Sequence, residues 1–308
     1  MTTPGRASEA VRSAYVAGSF YPGEPAALRS VVAGMLPARA ARPAAEWPMP
    51  IGLLVPHAGL RYSGRVAATA WSMLMSARIT GTDPGPAPTI VLLGTNHVAA
   101  WLEGIGVWAS GAWSTPLGRV LVDEEVASEI LHLGGPFVAD RDAHGSEHSI
   151  EVQLPFLQVA VPGSRIVPLA VAAGTGADAI AAGTALGRLL GRRAAMRAAA
   201  VSPAVVLAIS TDMAHYPPRA ACERVTAALL PSILALDPVG LAAAEREVRR
   251  WPEAPACGMC GIQPAVVGLA ALRAMGVERG ELLAAATSAD TAGPADRAVG
   301  YLAVAFPG

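Results

Sequence analysis

The sequence has little charge of either sign and little cysteine. Lys, Arg, Asp and Glu together make up 15% of the 308 residues, and the formal net charge is -1. No basic excess is available to bind nucleic acid or an anionic membrane surface, so neither is expected as a partner. The three cysteines, Cys222, Cys257 and Cys260, are too few and odd in number for a disulfide framework.

Uninterrupted hydrophobic runs of membrane-spanning length are also lacking, although the mean hydropathy is +0.41. The longest uncharged stretches are Pro84–Leu102 and Ala254–Leu272, and proline and glycine interrupt both. Neither predicts a transmembrane helix. The segment Met1–Ala10 is polar and has no apolar core of a signal peptide. We therefore expect a cytoplasmic protein that does not cross a membrane.

Short apolar runs alternate with helical patterns along the chain. The runs, which predict strands buried on both faces, are Pro50–Val55, Thr89–Leu93, Arg165–Val171, Ala204–Ile209, Glu281–Thr287 and Val299–Ala305. The segments that predict helices are Pro25–Leu36, Ser63–Met75, Asp123–Leu133, Ala177–Leu190, Pro217–Leu236 and Pro264–Met275. This alternation predicts an α/β fold with a mostly parallel central sheet flanked by helices.

Three segments interrupt the alternation. Arg39–Pro48, rich in Ala, Pro and Arg, and Thr80–Pro88 predict surface loops that are too short to separate domains. Gly104–Val122 predicts an antiparallel hairpin inserted after the second strand. One domain over residues 1–308 is therefore expected, since single α/β domains often reach this length.

Histidines follow three of the predicted strands. His57 comes after the first strand, His97 after the second, and His215 after the fourth, where Asp212 precedes it. Ligands bind beyond the carboxyl ends of parallel strands, so these side chains are expected at one edge of the sheet. Histidine is the commonest metal ligand and the commonest acid or base near neutral pH. A single histidine after a strand is more often structural, but three together favour a functional site.

A further cluster, Ala143–Glu151, has two interpretations. Glu147, His148 and Glu151 are typical of residues that cap and anchor a following helix. Alternatively, His144 reaches into the site from a loop flanked by glycine. We favour a structural role for both glutamates and leave both interpretations open for His144, which we retain as a candidate catalytic residue.

The spacing Cys257-x-x-Cys260 is typical of a redox pair or half of a zinc site. A second such pair is lacking, which excludes a closed site of four cysteines. Pro264 predicts the start of a helix, and a cysteine just before a helix is expected to have a lowered pKa and to suit metal ligation. The alternative is that each cysteine is a small buried hydrophobic residue.

Seven sequence strings occur in an order that resembles a known family. They are Ala17-Gly18-Ser19-Phe20-Tyr21-Pro22, Pro56-His57-Ala58-Gly59, Gly94-Thr95-Asn96-His97, Ser114-Thr115-Pro116-Leu117-Gly118, Glu147-His148-Ser149-Ile150-Glu151-Val152-Gln153-Leu154-Pro155-Phe156, Ser210-Thr211-Asp212-Met213-Ala214-His215-Tyr216 and Cys260-Gly261-x-x-Pro264. Together they resemble the Memo family, whose bacterial members are called AmmeMemoRadiSam system protein B. The resemblance runs from about Arg12 to Ala305.

The resemblance implies a fold shared with class III extradiol dioxygenases, in which two histidines and a carboxylate hold non-haem iron. It implies that His57, His97 and Cys260 are metal ligands, with cysteine in place of the carboxylate. It further implies that His215 is the acid/base residue and that Asp212 acts beside it. Cys257 departs from the family pattern, in which a single cysteine is expected.

The resemblance also implies bound iron or copper, redox activity, and partners of the radical S-adenosylmethionine and AMMECR types. Animal members have been described as phosphotyrosine-peptide binders. Two imidazoles and one thiolate leave coordination positions open, and a thiolate favours copper, iron or zinc over magnesium. The leading hypothesis is a dioxygenase-related oxidoreductase that acts on an unknown small molecule or peptide. The alternatives are a binding protein that kept the pocket and lost turnover, and a zinc hydrolase; zinc is less favoured than iron or copper.

We predict that Cys260, and not Cys257, is the sulfur ligand, because the pattern that resembles the family is Cys-Gly-x-x-Pro and only Cys260 has a proline four residues on, at Pro264. Cys260→Ser is expected to weaken metal binding strongly, and Cys257→Ser to leave it nearly intact under reducing conditions. Metal content per protein checks this. The opposite ranking would overturn the assignment, and equal losses would indicate a site with two cysteines.

Overall fold

The computed structural model describes residues 10–37, 50–79, 87–198, 205–251 and 255–308. The predicted loop Arg39–Pro48 lies outside these ranges, as do residues 80–86 of the loop predicted at Thr80–Pro88, residues 1–9 of the N-terminal segment, and Ala204. In the described part of the chain, no helix has both the length and the apolar character needed to span a bilayer.

The described residues form eleven strands and eight α-helices. The strands are β1 Val11–Arg12, β2 Gly52–Val55, β3 Thr89–Thr95, β4 Gly104–Val107, β5 Ala112–Thr115, β6 Gly118–Leu121, β7 Phe137–Ala139, β8 Arg165–Ala172, β9 Val205–Ser210, β10 Glu281–Thr287 and β11 Gly300–Phe306. The helices are α1 Pro25–Met35, α2 Leu60–Ile79, α3 Glu124–Leu131, α4 Leu154–Ala160, α5 Ala177–Ala198, α6 Arg219–Leu234, α7 Pro238–Val248 and α8 Ile262–Ala274.

Eight strands form the central sheet, in the order β10-β11-β2-β9-β3-β8-β4-β7. The four strands β2, β9, β3 and β8 are parallel to one another, and all are buried on both faces except at the ends of β8. This confirms the predicted mostly parallel α/β sheet, because strands covered on both sides by helices need continuous apolar sequence. Both β11 and β4 pair antiparallel to the parallel strands, and β10 pairs antiparallel to β11.

The segment predicted as a hairpin divides between two sheets. Strands β5 and β6 form the antiparallel hairpin and, with β1, a separate three-stranded sheet. Strand β4 pairs instead with β8 in the central sheet. Strands β1 and β7 and helix α7 were not predicted; β7 has only three residues, two of them exposed. Helix α4 is the helix expected after Glu151, although no range was assigned to it. Helix α8 begins at Ile262, two residues before the predicted start. Pro264 is accommodated in the first turn because the N–H groups of that turn have no acceptor within the helix, so the missing N–H of proline costs no hydrogen bond.

Helix α8 is buried along most of its length and packs closely against α5. Gly183 and Gly187 of α5 make this approach possible. A Cβ atom added at Gly187 would lie 2.1 Å from the carbonyl oxygen of Ala271, and one at Gly183 would lie 2.2 Å from that of Val267. Both contacts are with backbone, which cannot move away as a flexible side chain can. The two glycines therefore fix the position of the helix that begins beside Cys260.

We predict opposite effects for two glycine substitutions on neighbouring turns of α5. Gly187→Ala is expected to destabilise the protein by about 1–3 kcal/mol, because its methyl group overlaps the backbone of α8. Gly191→Ala is the control: its Cβ would be 3.8 Å from Met275, so the helix preference of alanine should stabilise the fold by about 0.5–1 kcal/mol. Urea unfolding measures both. Equal effects would show that α5 and α8 are not held at this separation.

Candidate metal centre

Residues after three neighbouring parallel strands meet at one edge of the sheet. His57 lies two residues beyond β2, His97 two beyond β3, and Asp212 two beyond β9, which lies between the other two strands. Cys260 approaches the same edge from the start of α8, and its backbone N–H donates to the carbonyl of Asp212 at 3.1 Å. One ligand atom from each of His57, His97 and Cys260 lies within 4.8 Å of the other two. The structure thus brings together the three residues that the sequence suggested as ligands.

Gln153 begins a chain of buried hydrogen bonds that ends at His57. Its side-chain oxygen accepts from the indole N–H of Trp71 at 3.0 Å, and its amide nitrogen donates to the carbonyl of Pro56 at 2.9 Å. Because an indole only donates and a carbonyl only accepts, the amide orientation is determined. The same nitrogen lies 3.2 Å from the hydroxyl oxygen of Ser210, which must accept there.

Ser210 in turn determines which nitrogen of His57 carries the proton. Its hydroxyl donates to the carbonyl of Ser149 at 2.7 Å, and this uses its single hydrogen. The Nδ1 of His57, 3.0 Å from the same oxygen, must then be the donor. The lone pair is left on Nε2, which lies 3.3 Å from the Sγ of Cys260. Burial also lowers the pKa of His57 well below its usual value, so the ring is neutral, as a metal ligand must be.

Glu147 orients His97 in the same manner. Its carboxylate accepts from the Nδ1 of His97 at 2.9 Å, from the backbone N–H of His97 at 2.6 Å, and from the backbone N–H groups of His148 and Ser149. Burial alone would raise the pKa of this carboxyl, but the hydrogen bonds outweigh it and lower the pKa to about 2. An ionised carboxylate only accepts, so Nδ1 of His97 carries the proton and Nε2 is available for a metal.

Cys260 is held as a half-buried thiol. Its Sγ accepts the backbone N–H of Asp212 at 3.2 Å. The expected lowering of its pKa is wrong: burial, with the neighbouring Asp212 carboxyl, raises it. Desolvation of a buried thiolate here exceeds the favourable field at the start of α8. A thiol in this position ionises only if a cation compensates the charge.

Two groups of side chains among the described residues could hold a metal ion: His57, His97 and Cys260, and His97, Glu147 and His148. Cys257 belongs to neither group. It is half-buried, and burial raises its pKa to about 11. Between the two cysteines, Met259 pairs with Met213 as an isolated antiparallel bridge. All three cysteines of the chain are free thiols.

Asp212 and His215 both lie beside the centre, but they make different contacts. Asp212 accepts the backbone N–H groups of His57 at 2.7 Å and Ala58 at 3.3 Å, and burial raises its pKa to about 7. His215 is held by backbone pairing with Val299. Burial lowers the pKa of His215 to about 4, and its buried Nε2 has no hydrogen-bond partner among the residues that the structure describes. The imidazole is therefore neutral at pH 7 and able to accept a proton from a bound molecule.

His148 belongs to the centre, although its position before a predicted helix indicated a role in capping that helix. Its ring stacks on His97 with centroids 4.7 Å apart and meets His57 edge-on at 5.4 Å. Phe20 covers its other side at 4.8 Å. The signal that could have located it is its position beside Glu147, whose carboxylate binds His97.

The cluster opens into a cavity of about 660 Å³. Its described lining comprises the catalytic-type residues, an aromatic group and the segment that precedes β11: Phe20, His57, Ala58, Gly59, Tyr62, His97, His148, Asp212, His215, Tyr216, Ser288, Gly293, Pro294, Arg297, Val299 and Tyr301. A volume of this size accommodates a small molecule or a single side chain of a peptide.

His144 is not brought into this cavity. Its Nε2 lies 3.0 Å from the carbonyl oxygen of Gly106, and its ring meets Trp108 and Trp113 edge-on at 6.1 and 5.5 Å. The side chain is fully buried, and burial lowers its pKa to about 4. This placement supports packing between the two tryptophans and gives no support to a catalytic role for His144.

Glu151 anchors the N-terminal segment. Its buried carboxylate accepts from the guanidinium of Arg12 at 2.6 Å, from the hydroxyl of Tyr21 at 2.6 Å, and from the backbone N–H groups of Tyr15 and Val16. None of these partners is a histidine. Glu151 therefore has a structural role, as expected from the sequence.

Comparisons with known proteins agree over nearly the whole chain. The model of the family described as Memo-like protein matches residues 12–305. A MEMO1 family protein of Methanopyrus kandleri is 35% identical over 305 residues, which cover 96% of this chain and 98% of that protein. Another, from Methanothermobacter thermautotrophicus, is 34% identical and covers 94% of this chain and 98% of its own length.

We predict that Glu147→Gln lowers metal affinity by about 10–100-fold, the usual effect of losing the partner that orients a ligand histidine. All four groups around Glu147 are donors, so the amide NH2 of glutamine must face at least one of them. Chelator competition measures the affinity.

Glu151→Gln is the matched control, since it also replaces a buried carboxylate surrounded by donors. It is expected to lower the thermal unfolding temperature and to leave metal affinity per folded molecule unchanged. If the two variants bind metal equally well, Glu147 does not orient a ligand.

Proposed function

This chain belongs to the Memo-like protein family, and we propose that it is a redox metalloprotein related to dioxygenases, in which His57, His97 and Cys260 hold one iron or copper ion. The observation that carries the proposal is the convergence of these three ligand atoms within 4.8 Å. The hydrogen bonds that keep a proton on Nδ1 of each histidine leave each Nε2 lone pair available to a cation.

The donors of His57 and Cys260 lie close enough together to bind a single metal ion. Two donors that bind one ion at roughly 2.0 Å (nitrogen) and 2.3 Å (sulfur) can be separated by about 4.3 Å at most, and the Nε2 of His57 lies 3.3 Å from the Sγ of Cys260. A thiolate and two neutral imidazoles suit copper or iron better than magnesium or calcium. When bound, such an ion would supply one-electron chemistry and Lewis acidity at the base of the cavity.

His215 is proposed as the group that takes a proton from the substrate. Its neutral ring and its unpartnered Nε2 suit a general base that contacts a bound molecule without binding the metal. Asp212 supports the site differently, because its carboxyl fixes the backbone of His57 and Ala58. We propose Asp212 as a positioning residue, with substrate contact as its second possible role since it also lines the cavity.

The wider setting of the activity is proposed from the family resemblance alone. The protein would act in the cytoplasm, on a small molecule or peptide, together with partners of the radical S-adenosylmethionine and AMMECR types. The cavity is compatible with a small-molecule substrate.

We predict that His57→Ala and His97→Ala each lower the affinity for iron or copper by more than about 100-fold, because each removes a ligand and not merely its partner. Both residues lie on loops beyond strand ends, so circular dichroism should show a folded protein. His215→Ala is expected to keep its metal and to lose oxygen uptake. Elemental analysis after anaerobic reconstitution and an oxygen electrode measure the two effects.

Other outcomes would favour other functions. A metal-loaded wild-type protein that consumes no oxygen with any reductant would favour a binding protein without turnover. Zinc as the metal retained through native purification, with hydrolytic activity, would favour a zinc hydrolase. Loss of metal in His215→Ala would make His215 a ligand and would contradict the role proposed for it.

A further inference from the structure

Aromatic side chains are concentrated around the cavity, in a chain with few of them. Aromatic residues make up 5% of the sequence, yet three of its five tyrosines (Tyr62, Tyr216 and Tyr301) line this cavity, together with Phe20. Aromatic faces bind flat ligands by offset stacking or edge-on contact. A cavity of about 660 Å³ with such walls suits a planar ring system better than an extended aliphatic chain.

Arg297 supplies charge at the same cavity. Among the described residues of the lining, it is the one side chain with a permanent positive charge. Its guanidinium lies over the ring of Tyr216, 4.5 Å from the centroid. Stacking leaves the edge of a guanidinium, with its N–H donors, directed away from the ring face. An arginine held over a ring keeps N–H donors free for a bidentate contact with a carboxylate.

Backbone pairing fixes Arg297 and Tyr216 relative to each other. The backbone N–H of Tyr216 donates to the carbonyl of Ala298 at 2.7 Å, and the N–H of Ala298 donates to the carbonyl of Pro217 at 2.8 Å. Tyr216 also has a φ of 70°, a left-handed conformation that is unfavourable for a residue with a Cβ atom. Strained residues held by their surroundings concentrate at ligand sites, and the ring of Tyr216 is 55% exposed beside the cavity.

From these contacts we infer that the cavity binds a small planar aromatic acid, with the ring between the tyrosines and a single carboxylate on Arg297. A phosphate monoester fits less well, because it carries nearly two negative charges and is usually bound by several cations. The inference rests on the proposed function to the extent that this cavity is where the protein acts. Arg297 and Tyr216 would then determine specificity.

Binding of four naphthyl-type probes to the full-length protein tests the inference. The probes are 2-naphthoate, the neutral 2-naphthamide, 2-naphthyl phosphate and the saturated decalin-2-carboxylate. Calorimetric titration is done with metal-loaded and with chelator-treated protein, so that direct ligation of the carboxylate to a metal is separated from binding to Arg297. We expect 2-naphthoate to bind about tenfold more tightly than 2-naphthamide, as one charge-assisted contact would give, in both preparations.

Two substitutions and one control test which residues cause the preference for naphthoate over naphthamide. Arg297→Gln should remove the preference for naphthoate over naphthamide, and Tyr216→Ala should weaken both by roughly tenfold, the scale of one stacking contact. Arg61→Gln is the matched control, since Arg61 stacks over Tyr62 at 4.9 Å but does not line the cavity; it should bind all probes as the wild type does.

Several results would overturn the inference: no binding of any naphthyl probe, equal binding of naphthoate and naphthamide, tighter binding of the phosphate or of the decalin acid, or an unchanged preference in Arg297→Gln. Metal retention by Cys260→Ser, measured separately, would instead contradict the proposed metal site. The two failures are thus distinguishable, because the probe titration of chelator-treated protein does not depend on the metal.

Discussion

A carboxylate stays charged inside a protein only when donors surround it, and the centre of this molecule depends on one that does. Glu147 is fully buried, yet its four N–H partners keep it ionised. Its carboxylate orients the ring of His97. The same carboxylate accepts the backbone N–H groups of His148 and Ser149 and so holds these two residues in place. Ser149 then accepts from Ser210 and so sets the proton of His57. One buried charge therefore reaches two imidazoles through a short series of hydrogen bonds.

Close packing allows that series to form. The segment from Glu147 to Gln153 lies directly against the end of β3, where a Cβ atom at Gly94 would come within 2.5 Å of Ile150. A similar contact occurs where α8 begins, since a Cβ atom at Gly261 would lie 2.5 Å from Thr211. At these points the absence of a side chain, and not its chemistry, permits the candidate ligands to meet. Both glycines belong to the strings by which the chain resembles its family.

The parts of the structure that the sequence could predict are those with a periodic signal or a local one. The buried strands are continuous apolar runs, and a parallel sheet places their carboxyl ends together, so His57 and His97 could be assigned to one edge. The pKa of Cys260 could not be judged, because the helix start is visible in sequence whereas the burial that outweighs it is not. His148 was missed for a related reason. Its stacking on His97 depends on the hydrogen bond that joins His97 to Glu147, and these two residues are 50 positions apart in the chain. Short elements such as β7 contain too few residues for a pattern to emerge.

The contact between His57 and Cys260 joins residues 203 positions apart in the chain. During synthesis, which proceeds from the N-terminus, His57 and His97 leave the ribosome long before Cys260 does. Closing so long a loop requires most of the sheet to be formed first, since the strands between the two residues hold them at one edge. His57, His97 and Cys260 therefore lie together only in a chain that has finished folding. A metal that requires the thiolate would be acquired as the last step of maturation, and its presence would mark the molecules that folded correctly.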